Sequence, residues 1–73
     1  MVRREAFIRK IHELGYTYKD TAKRVYLYRL RGGTRYIPVP MADLLTDEYV
    51  MSQLGQAGCS PEDIQSFLAS AKS

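Results

Sequence analysis

The stretch VYLYRLRGGTRYIPVP, Val25 to Pro40, decides the fold. Its first half, Val25 to Arg31, is β-branched and aromatic with a period of two, which predicts a strand. Arg35 to Val39 predicts a second strand, and Gly32-Gly33 between them is a two-residue hairpin signal, since both residues accept positive φ. That turn pairs Tyr28 with Ile37, Arg29 with Tyr36 and Arg31 with Thr34. One face of the sheet then carries Tyr26, Tyr28, Leu30, Ile37 and Val39, and the other carries Val25, Leu27, Arg29, Arg31 and Tyr36. The first face reads as core. Pro38 and Pro40 lack an N–H for a ladder, so their strand is expected at an edge, or to end by Val39.

Upstream, Tyr16 and Tyr18 alternate with Thr17 and Lys19 in a further short strand. Before it, Phe7, Ile8, Ile11 and Leu14 form the stripe of an amphipathic helix whose stop is Gly15, with Tyr16 placed to pack back on Ile11. Downstream, Thr46-Asp47-Glu48 offers a cap and first-turn acids to a helix carrying Tyr49, Val50 and Leu54 and closed by Gly58. Ser60-Pro61-Glu62-Asp63 opens another, with Ile64, Phe67 and Leu68 on its buried side and an end near Ala69. The class is α+β: one domain over residues 1–73, a three-stranded antiparallel sheet packed on helices.

At 73 residues and 45% hydrophobic content, the chain is near the lower limit for a single core without disulfides or metal, and a homodimer or partner would help it. No apolar run reaches the length of a membrane span, and MVRREAFIRK lacks the features of a signal peptide, so the expected location is cytoplasmic with no membrane partner. Cys59 and His12 are each alone, which leaves no zinc set, and no cofactor is expected. Cys59 reads as a half-buried filler before a helix.

Net charge +3 conceals an asymmetry. Residues 1–36 carry ten Lys and Arg against Glu5, Glu13 and Asp20, giving +7; residues 37–73 carry Lys72 against five acids, giving −4. Such a split suggests one half that faces a polyanion. Lys19, Lys23, Arg24, Arg29, Arg31 and Arg35 cluster on the strands and turns, with Arg3, Arg4, Arg9 and Lys10 on the first helix, and the register leaves Tyr36, with Tyr16 or Tyr18 as alternatives, to stack on an unpaired base. From the residues alone, the cations read equally well as a solvated face. Catalysis finds little support: His12 is the lone histidine, the residue type whose unperturbed titration lies near neutrality, it sits beside the core stripe, and no phosphate loop or paired-carboxylate motif accompanies it.

FIRKIHELGY (7–16), VYLYRL (25–30), GGTRYIPVP (32–40) and VMSQLGQAGCSPEDIQSFL (50–68) together resemble the HicA-type (YcfA-like) toxins of toxin–antitoxin systems. Those are small basic messenger-RNA-cleaving enzymes with a double-stranded-RNA-binding-like fold. The resemblance implies an α-β-β-β-α(-α) order, an RNA target and an antitoxin-like protein partner. The departure from it falls at the catalytic position. The toxins carry Gly-Ser-His at the start of the second strand, where this chain has Lys23, Arg24 and Val25, and a second histidine often follows their valine-proline step, where this chain has Pro40. Valine transfers no proton. No catalytic residue carries over, and whether the chain is an enzyme stays open. Three functions fit the residues: a catalytically silent RNA-binding protein, an active toxin with a rearranged site, and a protein-interaction module or dimer. The first accounts for most of them.

Overall fold

In the computed structural model, which describes residues 1–71, a small α+β fold sets three helices on one face of a three-stranded antiparallel sheet. In chain order the elements are β1 (Val2–Arg3), α1 (Arg4–Glu13), β2 (Tyr16–Ala22), β3 (Val25–Leu30), β4 (Tyr36–Pro40), β5 (Leu44–Leu45), α2 (Asp47–Gln56) and α3 (Pro61–Ala71). Strand order in the sheet is β2-β3-β4.

The expected register holds across β3 and β4: Tyr26 pairs with Val39, Tyr28 with Ile37 and Arg29 with Tyr36. Both prolines lie on the edge strand. They point their missing N–H groups away from the ladder, and the Pro38 carbonyl on that edge accepts the Tyr49 phenol. The turn differs from the two-residue form. Leu30 N–H donates to Arg35 O at 3.0 Å and Gly33 N–H to Leu30 O at 3.0 Å, so four residues close the loop and Arg31 has no ladder partner in Thr34. Gly32 alone of the two glycines takes positive φ, +73°. A hydrogen bond from Arg31 N–H to Gly15 O, 2.9 Å, ties the loop to the end of α1.

β2 is longer than its tyrosine-threonine alternation indicates, because the chain continues past a bulge. Tyr18 pairs with Tyr28 and Asp20 with Leu27, which leaves Lys19 as the extra residue. Lys23 and Arg24 then turn the chain into β3, with Arg24 at φ +57°, a left-handed position unusual for a residue with a side chain.

The core is formed by Val2, Phe7, Ile11, Tyr16, Ile37, Val39, Leu45, Val50, Leu54, Ile64 and Leu68, one contribution or more from every element except β3. Tyr26, Tyr28 and Leu30, expected as core, are half-buried and pack against it. Tyr18 covers the rings of Tyr26 and Tyr28 edge-on, at 6.4 and 6.0 Å, and is itself 56% exposed. Val2 pairs with Leu45 in a two-stranded ribbon that two-residue strands of ordinary composition do not announce.

The helix ends follow their sequence signals. Gly15 (φ +98°) stops α1, and Thr46 accepts Tyr49 N–H at 3.1 Å. At the end of α2, Gly58 N–H bonds Gly55 O and Cys59 N–H bonds Leu54 O, the paired bonds of a glycine stop. Ser60 Oγ accepts Asp63 N–H at 3.2 Å, and α3 runs two residues beyond Ala69, to Ala71. Cys59 is half-buried against the core. No helix among the described residues is long and apolar enough to cross a membrane.

Candidate nucleic-acid interface

No helix contributes to the second face of the sheet. By register this face carries a row that crosses all three strands, Thr17 on β2, Arg29 on β3 and Tyr36 on β4. Toward the Lys23-Arg24 turn the next rows are Asp20, Leu27 and Pro38, then Ala22, Val25 and Pro40. The face is polar and cationic at one end, and mainly hydrocarbon with the carboxylate of Asp20 at the other.

Three of the cations singled out in the sequence converge at the polar end. Lys19, Arg29 and Arg31 surround a cavity of about 210 Å³ with Thr17 and Gly32, and no carboxylate lines it. Each is placed by a different feature. The bulge gives Lys19 to the same side as Thr17, the ladder aims Arg29 outward, and the glycine loop presents Arg31. Arg29 Nε donates to the Gly33 carbonyl at 3.0 Å, which holds the guanidinium against the loop with its terminal N–H groups still available. Tyr36, 48% exposed, is the cross-strand neighbour of Arg29. Cations, a hydroxyl and an exposed ring suit a phosphate together with the base attached to it.

The other cations are elsewhere. Arg35 turns to the helix side and its Nη1 donates to the Gln56 carbonyl at 2.6 Å, a cation at the negative end of α2. Lys23 and Arg24 are exposed at the far turn. The six residues of β3 separate them from the cavity by about 20 Å at the usual strand rise. Arg4 is engaged: its guanidinium bonds the Met41 and Ala42 carbonyls, lies 3.8 Å from Asp43 and 5.8 Å from the Tyr26 ring centroid. Arg3, Arg9 and Lys10 line a separate groove of about 610 Å³ between α1 and α3, where Glu13 and Asp63 offset them.

The groups with acid-base capacity do not gather. His12 is exposed in the last turn of α1, whose end is bound to Arg31, whereas Lys23 and Arg24 occupy the opposite end of the sheet. Burial pushes the phenols of Tyr28 and Tyr49 above their ordinary 10.0. At Tyr28 the neighbouring phenols Tyr26 and Tyr18 add to this, while Arg4 opposes it. Phenols shifted upward are poor bases at neutral pH. Among the described residues, no three His, Cys, Asp or Glu side chains are placed to hold a metal ion. Val25 and Pro40 are cross-strand partners, both hydrocarbon.

Sequence reasoning passed over Thr17, a neutral residue in the alternation, and the α2 glutamines Gln53 and Gln56, which border Arg35 and Tyr36. No single-residue signal marks them; only the packing of α2 beside β4 brings them to this edge. No family model, no curated protein and no solved structure matches the chain.

Proposed function

We propose that the chain is a HicA-like RNA-binding protein that holds its ligand without cutting it, on a double-stranded-RNA-binding-like scaffold of helix, three strands and helices. The observation that carries this reading is the carboxylate-free cavity shared by Lys19, Arg29 and Arg31 beside the exposed ring of Tyr36. The three cations neutralise phosphate oxygens and release counterions, which supplies affinity without sequence readout. The Thr17 hydroxyl adds a neutral hydrogen bond and Tyr36 a stacking surface. Lys23 and Arg24, about 20 Å away along the hairpin, give a second contact to a longer strand.

The catalytic half of the family's chemistry is missing from the residues. Where a proton donor and acceptor are needed, Val25 faces Pro40. The test is a binding titration run beside a cleavage assay on the same short single-stranded RNA. Affinity that falls steeply with salt, with the RNA recovered intact, supports the reading. Cleavage that is lost on Arg24→Ala selects a rearranged toxin site instead, and absence of affinity at low salt leaves a protein partner, such as an antitoxin-like protein or a second copy, as the role of the basic face.

A further inference from the structure

Around the β4 edge from the phosphate cavity, on the helix side of the sheet where Tyr16 and Ile37 lie, β4 and α2 enclose a groove of about 450 Å³ lined by Tyr16, Arg35, Tyr36, Gln53 and Gln56. Its polar residues are an arginine, two glutamines and two tyrosines, and no carboxylate lines it. Arg35 is fixed there by its bond to the Gln56 main-chain carbonyl, an interaction that leaves the Gln56 side chain unused and the remaining guanidinium N–H groups available. Tyr36 serves both places: by register it stands beside Arg29 on the open face, and it also lines the groove at the strand edge.

We infer that this groove is a base-reading subsite for an unpaired purine of a strand whose phosphates sit on Lys19, Arg29 and Arg31. The inference rests on the RNA-binding reading and adds sequence preference to it. The chemistry that favours a purine is the pattern of donors and acceptors. A glutamine carboxamide offers a donor and an acceptor side by side, matching the N7 acceptor and N6 amino donor of adenine. An arginine offers paired donors, matching O6 and N7 of guanine. A pyrimidine offers a comparable pair only on its Watson–Crick edge, where its single ring covers less of Tyr36. The larger purine ring also overlaps the Tyr36 face more fully, and base stacking on an aromatic side chain tolerates any base while gaining with its area.

The test uses the full chain and four single-stranded RNA octamers, of adenine, guanine, cytosine and uracil, at one salt concentration. The purine octamers are expected to bind about tenfold to a hundredfold tighter than the pyrimidine ones, the discrimination ordinarily given by one good bidentate contact. In the double variant Gln53→Ala, Gln56→Ala that preference is expected to shrink to within about threefold, with pyrimidine affinity and the salt slope unchanged, since neither side chain contacts phosphate. Alanine is a better helix former than glutamine and the Arg35 bond uses a main-chain oxygen, so α2 keeps its fold in this variant. Equal affinity for all four octamers in the native chain overturns the inference, as does a purine preference that survives the double substitution. Failure to bind any octamer removes the RNA-binding reading, and the subsite with it.

Discussion

Arg29 and Tyr36 are Cα partners across β3 and β4, side by side on the face of the sheet that no helix covers. The pair joins the two halves of the proposed site: Arg29 closes the cationic cavity with Lys19 and Arg31, and Tyr36 opens the groove toward Gln53 and Gln56.

Removing the ring separates stacking from charge. Tyr36→Ala is expected to weaken single-stranded RNA binding by about 1 to 3 kcal/mol, a tenfold to hundredfold loss, with the salt slope unchanged. Tyr36→Phe retains the affinity. Because the side chain is half in solvent, the melting temperature should hardly move in either variant. A Phe variant as weak as the Ala one would assign the residue a hydroxyl contact in place of stacking.

Arg24 occupies the left-handed region at φ +57°, where a side chain costs on the order of 1 kcal/mol and glycine much less. Arg24→Gly is therefore expected to stabilise the fold by about 0.5 to 1 kcal/mol, or a few degrees in melting temperature, while the bond from Met41 N–H to its carbonyl stays in place. The same change removes a cation and should weaken RNA binding slightly. A drop in melting temperature would show that the arginine side chain holds the turn.

The core is small enough that one large cavity decides its fate. Leu54 is fully buried on α2, and Leu54→Ala should cost about 2 to 5 kcal/mol, most of what a domain of this size has. Circular dichroism in urea reads this as a midpoint near zero. A loss below about 1 kcal/mol would mean that the helices close over the gap.

Alkaline pH acts through the tyrosines. With the folded-state values of Tyr28 and Tyr49 above 10.0, the folded chain keeps protons that the unfolded chain has released. The stabilisation is complete below about pH 10 and is lost as pH rises through the folded-state values. Urea midpoints should fall as pH rises above about 10, and by less in a Tyr28→Phe, Tyr49→Phe double variant. An equal fall in both proteins would place the alkaline loss in other groups.

Much of this architecture is legible in the residues because local signals agree with one another. Gly15, Thr46, Gly58 and Ser60 mark helix ends by backbone requirements that few other residues meet, and the period of two from Val25 fixes both register and faces. The misses share a cause. The Val2–Leu45 pairing and the continuation of β2 past Lys19 are set by partners distant in sequence, and neither carries a pattern of its own. The tyrosines of β3 lie at the margin of the core, where Tyr18 and the Arg4 guanidinium at the start of α1 lie against them. In the candidate site, the faces of Arg29 and Arg35 follow from an alternation that can be counted, Arg35 sharing the helix side with Ile37, whereas Lys19 and Arg31 reach the cavity through the bulge and the glycine loop. Gln53 and Gln56 become visible only once α2 is docked on β4.

The salt dependence of RNA affinity tests the phosphate cavity most directly. The logarithm of the binding constant for a short single-stranded RNA is measured against the logarithm of salt concentration, for the native chain and for a Lys19→Ala, Arg29→Gln, Arg31→Ala variant whose fold is checked by its melting temperature. Each lost phosphate contact removes about 0.7 from the slope on single strands, so a flattening of about 2 is expected. A slope that the triple substitution leaves unchanged would contradict phosphate binding by these three residues.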